Sequence, residues 1–371
     1  MGFGLAYAQG FQTKAKQAVV MDYETGTILF QKNADQLIPP ASLAKLMTMA
    51  VVFDALKSGR LTLEDTFTIS EDAWRRGGAN SGGSSMFAKL NDDIRLEDLI
   101  RGVIIQSGND AAIAIAEGMA GSEVAFAGLM NQLARRIGLE QSTFRNSTGL
   151  PDDEQKVTAR ELAYLARHII RNHPEYYSIY SEPEFKWGRI NQRNRNPLLG
   201  KVDGADGLKT GFTTASGYAL VGSAQQEGRR VIIVLSGLES IRERSAEAVK
   251  IMRWGFRAFE PIELFAAGES VGEADVYGGA KSGVSLRAAD GALKIFVPIG
   301  FRDRLRMQIV FKGPLLPPVN EGDQVAKLQV LIDGAVSQET LLYAAESVEQ
   351  GTITQRATDA IQELLVGLIR F

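Results

Sequence analysis

The sequence predicts an α+β fold in which a larger part of helices and antiparallel strands precedes a small β-rich domain and a C-terminal amphipathic helix. Three observations predict it. Pairs of apolar strands separated by turn residues occur near both ends of the first 240 residues. Between these pairs, from about residue 60 to 190, apolar residues recur mainly at helical spacing. From about residue 265 to 350 the pattern changes to short strands broken by Gly, Asp and Pro.

The first strand pair leads into a helix. Two apolar runs, Ala18–Met21 and Thr27–Phe30, flank a turn at Glu24–Gly26 and predict a hairpin. Two prolines then interrupt the chain. A helix is predicted to follow, ending at Gly59, from apolar residues at positions 43, 46, 47, 50 and 51.

The central segments, from about residue 60 to 190, are predicted to be mainly helical, and strands return around residues 200–236. Two helices flank a short polar turn, in the order 95–105, 106–109 and 110–120. Thr158 and Glu161 form a capping-box pattern before a helix that runs to about Asn172. A second hairpin is predicted from strands at 218–221 and 231–235, with a turn at 225–228 between them. Residues 243–259 return to helical spacing.

Composition excludes several classes of protein and site. The 41 Lys and Arg against 44 Asp and Glu give a net charge of −3, so no basic excess points to nucleic acid. Cysteine is absent, which excludes disulfides, thiolate metal sites and cysteine nucleophiles. The only histidines are His168 and His173, too few to favour a histidine-ligated zinc site. We interpret both as surface or structural residues near a helix end.

The first eight residues resemble the end of a secretory signal. They are small and apolar and finish in Ala6-Tyr7-Ala8, the pattern of a signal-peptidase site. A complete signal would have a charged region and a longer apolar stretch, so we interpret residues 1–8 as a remnant. An ordinary N-terminus is the alternative. On the first interpretation the mature chain begins at Gln9 and resides in the periplasm.

The C-terminal segment has an apolar helical face, formed by Ala357, Ile361, Leu364, Leu365 and Leu368. Such a helix suits peripheral contact with a membrane surface, although its polar face is poor in Lys and Arg. Packing on its own domain or on a partner is an equally weighted alternative. No run of about 18 apolar residues occurs, so no membrane span is predicted.

Ser42 and Lys45 have the spacing of a nucleophile and its base at the start of the predicted helix. Residues three apart share a helix face, so the hydroxyl and the amine can meet. A lysine accepts the serine proton only when it is neutral, and burial or nearby cations favour that form by lowering its pKa. Free N–H groups of the first turn can also hold an oxyanion. S-x-x-K alone is a weak indication, because such a pair occurs about once by chance in a chain this long.

Two further motifs supply polar groups. Ser107 and Asn109 lie in a predicted turn, which can point a hydroxyl and an amide into a cleft. Lys209-Thr210-Gly211 directly precedes a predicted strand, where the lysine can attract a carboxylate and the glycine admits a second backbone. The N–H of Phe212 can serve as a second oxyanion donor. Taken singly, S-x-N is more typical of an ordinary turn, and K-T-G is common at ordinary strand junctions.

In the order S-x-x-K, S-x-N and K-T-G, the three motifs resemble those of the active-site-serine penicillin-recognising enzymes. Within that superfamily the chain is most similar to the low-molecular-mass penicillin-binding proteins that act as D-alanyl-D-alanine carboxypeptidases, peptidase family S11. Further segments that match the family pattern are 102–111, 194–196 and 253–256. The resemblance implies a β-lactamase-like catalytic domain with an antiparallel sheet and a helical subdomain. The predicted order is a remnant at 1–8, a serine D,D-peptidase domain at 9–264, a β-rich domain at 265–350 and a helix at 351–371.

The resemblance also implies residue roles. Ser42 attacks the carbonyl of the penultimate D-alanine of a peptidoglycan stem peptide, Lys45 accepts its proton, and Ser107 helps to protonate the departing D-alanine. The implied substrate-binding residues are Asn109, Lys209, Thr210, Gly211, Phe212 and Arg244, with Arg244 reaching the terminal carboxylate. Alternatively, Arg244 is an ordinary charged residue on the solvent-exposed face of a helix. β-Lactams are expected to acylate the serine, and neither a metal nor an organic cofactor is expected.

Two positions depart from the family pattern and several functions stay open. Phe212 stands where many relatives have His, Thr or Ser, and Thr148 stands where relatives often have His. Both departures leave open how the activity on peptides compares with the activity on β-lactams. The alternative functions are a D,D-endopeptidase, a β-lactamase or a non-catalytic envelope scaffold. S-G-N in place of S-D-N and the additional domain argue against a β-lactamase. The intact Ser42, Lys45 and Lys209 argue against a scaffold.

Overall fold

The computed structural model describes residues 11–289 and 291–357. Within them the chain divides into two compact units between Arg257 and Ala258. This division lies slightly before the predicted boundary at residue 264, because the segment Phe259–Phe265 pairs with a strand of the second unit. The predicted signal remnant lies outside the described residues. The predicted C-terminal helix is described only at 353–357, which are helical, so most of its apolar face also lies outside.

The first unit combines a five-stranded antiparallel sheet with helices. Its strands are β1 (Gln17–Asp22), β2 (Ile28–Lys32), β3 (Thr66–Thr68), β4 (Asp93–Arg95), β5 (Glu184–Trp187), β6 (Ile190–Arg193), β7 (Ala205–Thr213), β8 (Gly217–Gln226) and β9 (Arg229–Leu238). Its helices are α1 (Lys45–Lys57), α2 (Leu96–Ile105), α3 (Asn109–Ala120), α4 (Glu123–Arg136), α5 (Ala159–Asn172), α6 (Pro174–Tyr177) and α7 (Ile241–Arg257). The main sheet has the order β2-β1-β9-β8-β7, while β3-β4 and β5-β6 form separate pairs.

The interior strand β1, between β2 and β9, is buried along its whole length because helices cover both faces of the sheet. Val19 and Met21 belong to the main hydrophobic core, which they share with residues of α1 and α5. Val20 points to the opposite face, towards α7. There Gly255 permits close packing, since a Cβ atom at that glycine would lie 3.1 Å from Val20 Cγ1. A strand covered on both faces has the continuous apolar sequence seen here.

The predicted helices and hairpins of this unit are confirmed, with local differences. The helix expected at 243–259 ends at Arg257, because Phe259 begins a strand. Only half of the capping box forms. The Thr158 side chain accepts the N–H of Glu161, whereas the Glu161 carboxylate instead accepts hydrogen bonds from Gln141 N and Ser142 Oγ. That carboxylate therefore joins a neighbouring loop to α5.

Among the described residues no single helix is long and apolar enough to cross a membrane; α3 and α4 meet the length and composition criteria only as a pair bent by 84°.

The second unit is built from strands and has its own hydrophobic core. Its strands are β10 (Phe259–Phe265), β11 (Gly272–Asp275), β12 (Gly283–Ala288), β13 (Leu293–Pro298), β14 (Leu305–Phe311), β15 (Gln324–Ile332) and β16 (Ala335–Ala344). Five of them form a sheet in the order β11-β12-β16-β15-β14, and β10 pairs with β13. The predicted α+β architecture with a following β-rich domain is confirmed.

Candidate active site

Ser42 and Lys45 meet at the entry to α1. The first turn after Pro40 is a 3₁₀-helix spanning Ala41–Ala44, and α1 begins at Lys45. Side chains three residues apart eclipse one another in a 3₁₀ turn. The Lys45 ammonium nitrogen accordingly lies 3.3 Å from Ser42 Oγ and donates a hydrogen bond to it. The helix start predicted at Ser42 is thus a tighter turn that brings the two groups together.

Lys45 is buried and held in a fixed position. Its side chain is 0% exposed. Nζ donates to Asn109 Oδ1 at 2.7 Å and to the carbonyl of Thr148 at 2.6 Å. Burial, assisted by the positive charge of Arg195, lowers the pKa of this amine to about 7. A substantial fraction of the amine is therefore neutral near pH 7 and can accept the proton of Ser42.

Ser107 presents an unused hydroxyl in a turn of unusual backbone conformation. Its φ is +67°, a left-handed value that non-glycine residues rarely adopt and that is often found at functional sites. The hydroxyl is buried and has no hydrogen-bond partner among the described residues. It is free to bond to a bound molecule. Asn109, expected in the same turn, is instead the first residue of α3.

The K-T-G segment lies within β7 rather than before a strand, which corrects the sequence prediction. β7 is an edge strand of the main sheet. A Cβ atom on Gly211 would lie 3.2 Å from Leu43 Cγ and 3.4 Å from Leu43 N, so the strand packs directly against the turn that carries the nucleophile. Lys209 is buried, and burial together with the neighbouring Lys45 holds its pKa well below the usual range. Its Nζ donates to the carbonyl of Thr210 at 3.1 Å.

A cleft of about 770 Å³ joins these elements. Seven of the nine predicted site residues line it: Ser42, Ser107, Asn109, Thr210, Gly211, Phe212 and Arg244. The other two, Lys45 and Lys209, are buried and bond to residues of the lining. The structure thus brings all nine into one place.

The charge and shape of the cleft suit an anionic molecule with an apolar part. Arg195 and Arg244 line it, and no carboxylate side chain does within the described residues. Arg244 is buried, and its Nε has no hydrogen-bond partner in the part of the chain that the structure describes. Its guanidinium lies 5.7 Å from the ring centre of Tyr218, on which Phe212 stacks at 4.2 Å. The Phe212 side chain is 51% exposed and forms an apolar part of the rim.

Comparison with known proteins identifies the family. The family model described as D-alanyl-D-alanine carboxypeptidase, peptidase S11, matches residues 5–239. The chain belongs to this family of serine hydrolases. A second model, the C-terminal domain of penicillin-binding protein 5, matches residues 259–350 of the carboxypeptidase.

Relatives and solved structures agree with this assignment. The carboxypeptidase is 39% identical to the D-alanyl-D-alanine carboxypeptidase DacC of Escherichia coli, over 94% of this chain and 87% of that protein. It is 38% identical to DacA of Haemophilus influenzae, over 96% and 91% of the two chains. Penicillin-binding protein 5 of Haemophilus influenzae has a similar structure, with a TM-score of 0.79, 38% identity and coverage of 92% and 99%. Ampicillin-bound penicillin-binding protein D2 of Listeria monocytogenes has a TM-score of 0.60, 30% identity and coverage of 67% and 99%.

Sequence reasoning missed two groups that organise the site of the carboxypeptidase. One is the Thr148 carbonyl, which receives the hydrogen bond of Lys45, whereas the family pattern concerns only the side chain at that position. The other is Asp110, whose buried carboxylate accepts hydrogen bonds from the loop before β4. Its donors are Ser85 Oγ at 2.7 Å, Met86 N at 2.9 Å and Ala88 N at 3.2 Å. An acidic residue in the first turn of a helix is usually explained by its favourable interaction with the helix dipole. The sequence therefore gave no indication that Asp110 binds this loop.

Proposed function

We propose that the carboxypeptidase removes the terminal D-alanine from peptidoglycan stem peptides through an acyl-enzyme on Ser42. The observation that carries this proposal is the buried Lys45 amine, whose pKa is about 7 and which donates to Ser42 Oγ at 3.3 Å. A neutral amine in that position converts a weakly nucleophilic hydroxyl into an attacking oxygen. No imidazole or thiolate is needed.

The first half of the reaction forms an ester. Ser42 Oγ attacks the carbonyl carbon of the penultimate D-alanine while its proton passes to Lys45. The N–H groups of Ser42 and Phe212 stabilise the oxyanion. The C–N bond then breaks, and the amine of the terminal D-alanine takes the proton from Lys45 by way of the unpartnered Ser107 hydroxyl.

The second half returns the free enzyme. A water molecule attacks the ester carbonyl, giving its proton to the lysine, and the Ser42 oxygen leaves and is reprotonated. Asn109 holds the substrate amide. Arg244, Lys209 and Thr210 bind the terminal carboxylate, for which a guanidinium fork is well suited.

The same geometry supports acylation by β-lactams, which carry a strained amide and a carboxylate. We expect mass spectrometry after penicillin treatment to find one covalent adduct, on Ser42. Incubation with stem peptides should release free D-alanine, whereas an endopeptidase would convert cross-linked dimers to monomers. Folded protein that forms no adduct and releases no D-alanine would contradict the proposal. Rapid turnover of penicillin would instead favour the β-lactamase alternative.

We further propose that the enzyme works in the periplasm, in peripheral contact with the membrane. The support is the Ala6-Tyr7-Ala8 pattern and the apolar face that contains Ile361, Leu364 and Leu368. The full chain should co-sediment with phospholipid vesicles, and Leu364→Ser should weaken this binding. A matched change of the exposed Leu316 to Ser in the second unit should not. Equal sedimentation of all three proteins, or none by the parent chain, would contradict membrane contact by this segment.

A further inference from the structure

The two histidines of the chain, which the proposed reaction does not use, meet beside Asp54. One ring nitrogen of each histidine and one carboxylate oxygen of Asp54 all lie within 4.8 Å of one another. Asp54 belongs to α1, whereas His168 lies in the last turns of α5 and His173 directly follows that helix. The cluster therefore joins α1 to the end of α5. With a rise of about 1.5 Å per residue, Asp54 lies roughly 13 Å along α1 from Lys45.

Three of the four histidine ring nitrogens lack hydrogen-bond partners among the described residues. His173 is 1% exposed, and neither of its ring nitrogens has a partner among the described residues. Its Nε2 lies 3.1 Å from Asp54 Oδ1, but this contact does not have the angles of a hydrogen bond. Nε2 of His168 is also buried without a partner. Buried polar atoms are rarely unpaired in folded proteins, so three such nitrogens in one cluster point to a ligand.

Neighbouring groups hold the cluster in a form that can bind a cation. Arg136 bonds to Oδ2 of Asp54, which leaves Oδ1 facing His173. Metal-binding carboxylates are commonly oriented by such an outer hydrogen bond. Burial lowers the pKa of both histidines, which favours the neutral imidazoles that metal ions require. Asp54 and His168 are only partly buried, so the cluster lies close to the protein surface.

The Asn172 amide lies 3.1 Å from Nδ1 of His168 and fixes that ring. A metal bound to Nε2 requires the proton to sit on Nδ1. The Asn172 side chain would then turn its oxygen, rather than its nitrogen, towards the ring. These two orientations of an amide group have nearly the same shape. The same amide nitrogen also donates to the His168 carbonyl at 3.0 Å, so metal binding through Nε2 requires Asn172 to give up this hydrogen bond.

We propose that Asp54, His168 and His173 bind a divalent transition-metal ion of the zinc class, with water completing the coordination. Two imidazoles and one carboxylate are a ligand set that zinc accepts, whereas calcium and magnesium prefer oxygen alone. The ion would brace α1 against α5 outside the catalytic cleft. The positive charges of Arg136 and Lys57 near the cluster oppose a dication, so we expect exchangeable rather than permanent binding. This site contrasts with the sequence-based expectation that two histidines favour no metal site.

The test uses the full chain after treatment with a chelator. Titration with zinc chloride should give saturable binding of one ion per chain by calorimetry and should raise the melting temperature. Cobalt(II), used as a coloured probe, should develop the intense visible bands of a four-coordinate site. His168→Gln and His173→Gln should each abolish the cobalt bands and the zinc-dependent rise in melting temperature. His173 is buried, so its replacement can prevent folding. In that case the result for His168→Gln, at a partly exposed position, decides the test.

Glu175→Gln is the matched control, because this residue is a nearby acidic side chain that is not part of the cluster. It should retain both zinc responses. The absence of zinc binding at millimolar concentration would overturn the proposal, and so would undiminished binding by His168→Gln. D-alanine release is measured separately. Its outcome bears on the reaction at Ser42 and not on this site.

Discussion

Replacement of Ser42 by alanine should lower kcat/KM for D-alanine release by about 10⁴–10⁶-fold, the loss typical of removing a catalytic serine. The cleft contains a second buried hydroxyl, that of Ser107, but Lys45 donates to Ser42 and not to Ser107. We therefore expect that Ser107 does not replace Ser42 as the nucleophile. Release of D-alanine from a synthetic stem peptide measures the loss, and the penicillin adduct should disappear with it.

Folding should survive this change. Ser42 is only partly buried and accepts one long hydrogen bond, so its removal should cost no more than about 1 kcal/mol of stability. Ser58→Ala is the matched control, since it removes a hydroxyl at the opposite end of the same helix. It should keep full activity. A Ser42→Ala enzyme that still releases D-alanine at a similar rate would show that the nucleophile lies elsewhere.

The sequence predicted which residues form the site better than it predicted the secondary structure in which they lie. Apolar periodicity and turn residues located the helices and hairpins, because those patterns follow directly from which face of each element is buried. Ser42, Ser107 and Lys209 could be proposed because three motifs occur in a family order. That K-T-G lies inside β7 was not foreseen, since the polar and glycine residues before it resemble a loop.

Other features depend on contacts between distant segments and leave no local pattern. The carbonyl that fixes Lys45 belongs to Thr148, more than a hundred residues away, and every residue has a carbonyl. The Asp110 carboxylate holds the loop before β4 by accepting hydrogen bonds from backbone N–H groups, which every residue other than proline has and which a sequence pattern cannot reveal. The low pKa of Lys45 likewise arises from burial in the assembled core rather than from its neighbours in the chain.

Replacement of Lys45 by arginine should lower kcat/KM by about 10²–10⁴-fold, the usual contribution of a general base. A guanidinium keeps its positive charge and its hydrogen-bond donors, but it stays protonated at every working pH and cannot accept a proton. Charge is thus preserved while proton transfer is lost. Lys57→Arg, at the exposed end of the same helix, is the control and should remain fully active.

The pH dependence of the parent enzyme gives a second measure of the same role. Only the neutral amine accepts the serine proton, so kcat/KM should rise with pH and reach half its plateau near the Lys45 pKa of about 7.

Arg195 lowers the pKa of Lys45 by its positive charge, after the larger effect of burial. Arg195→Gln should therefore raise the pKa of Lys45 and move the acid limb of the profile to higher pH, besides any loss of substrate binding. A profile that is flat between about pH 5.5 and 8.5 would exclude titration of the base in this range. An acid limb that Arg195→Gln leaves in place would assign that limb to another group.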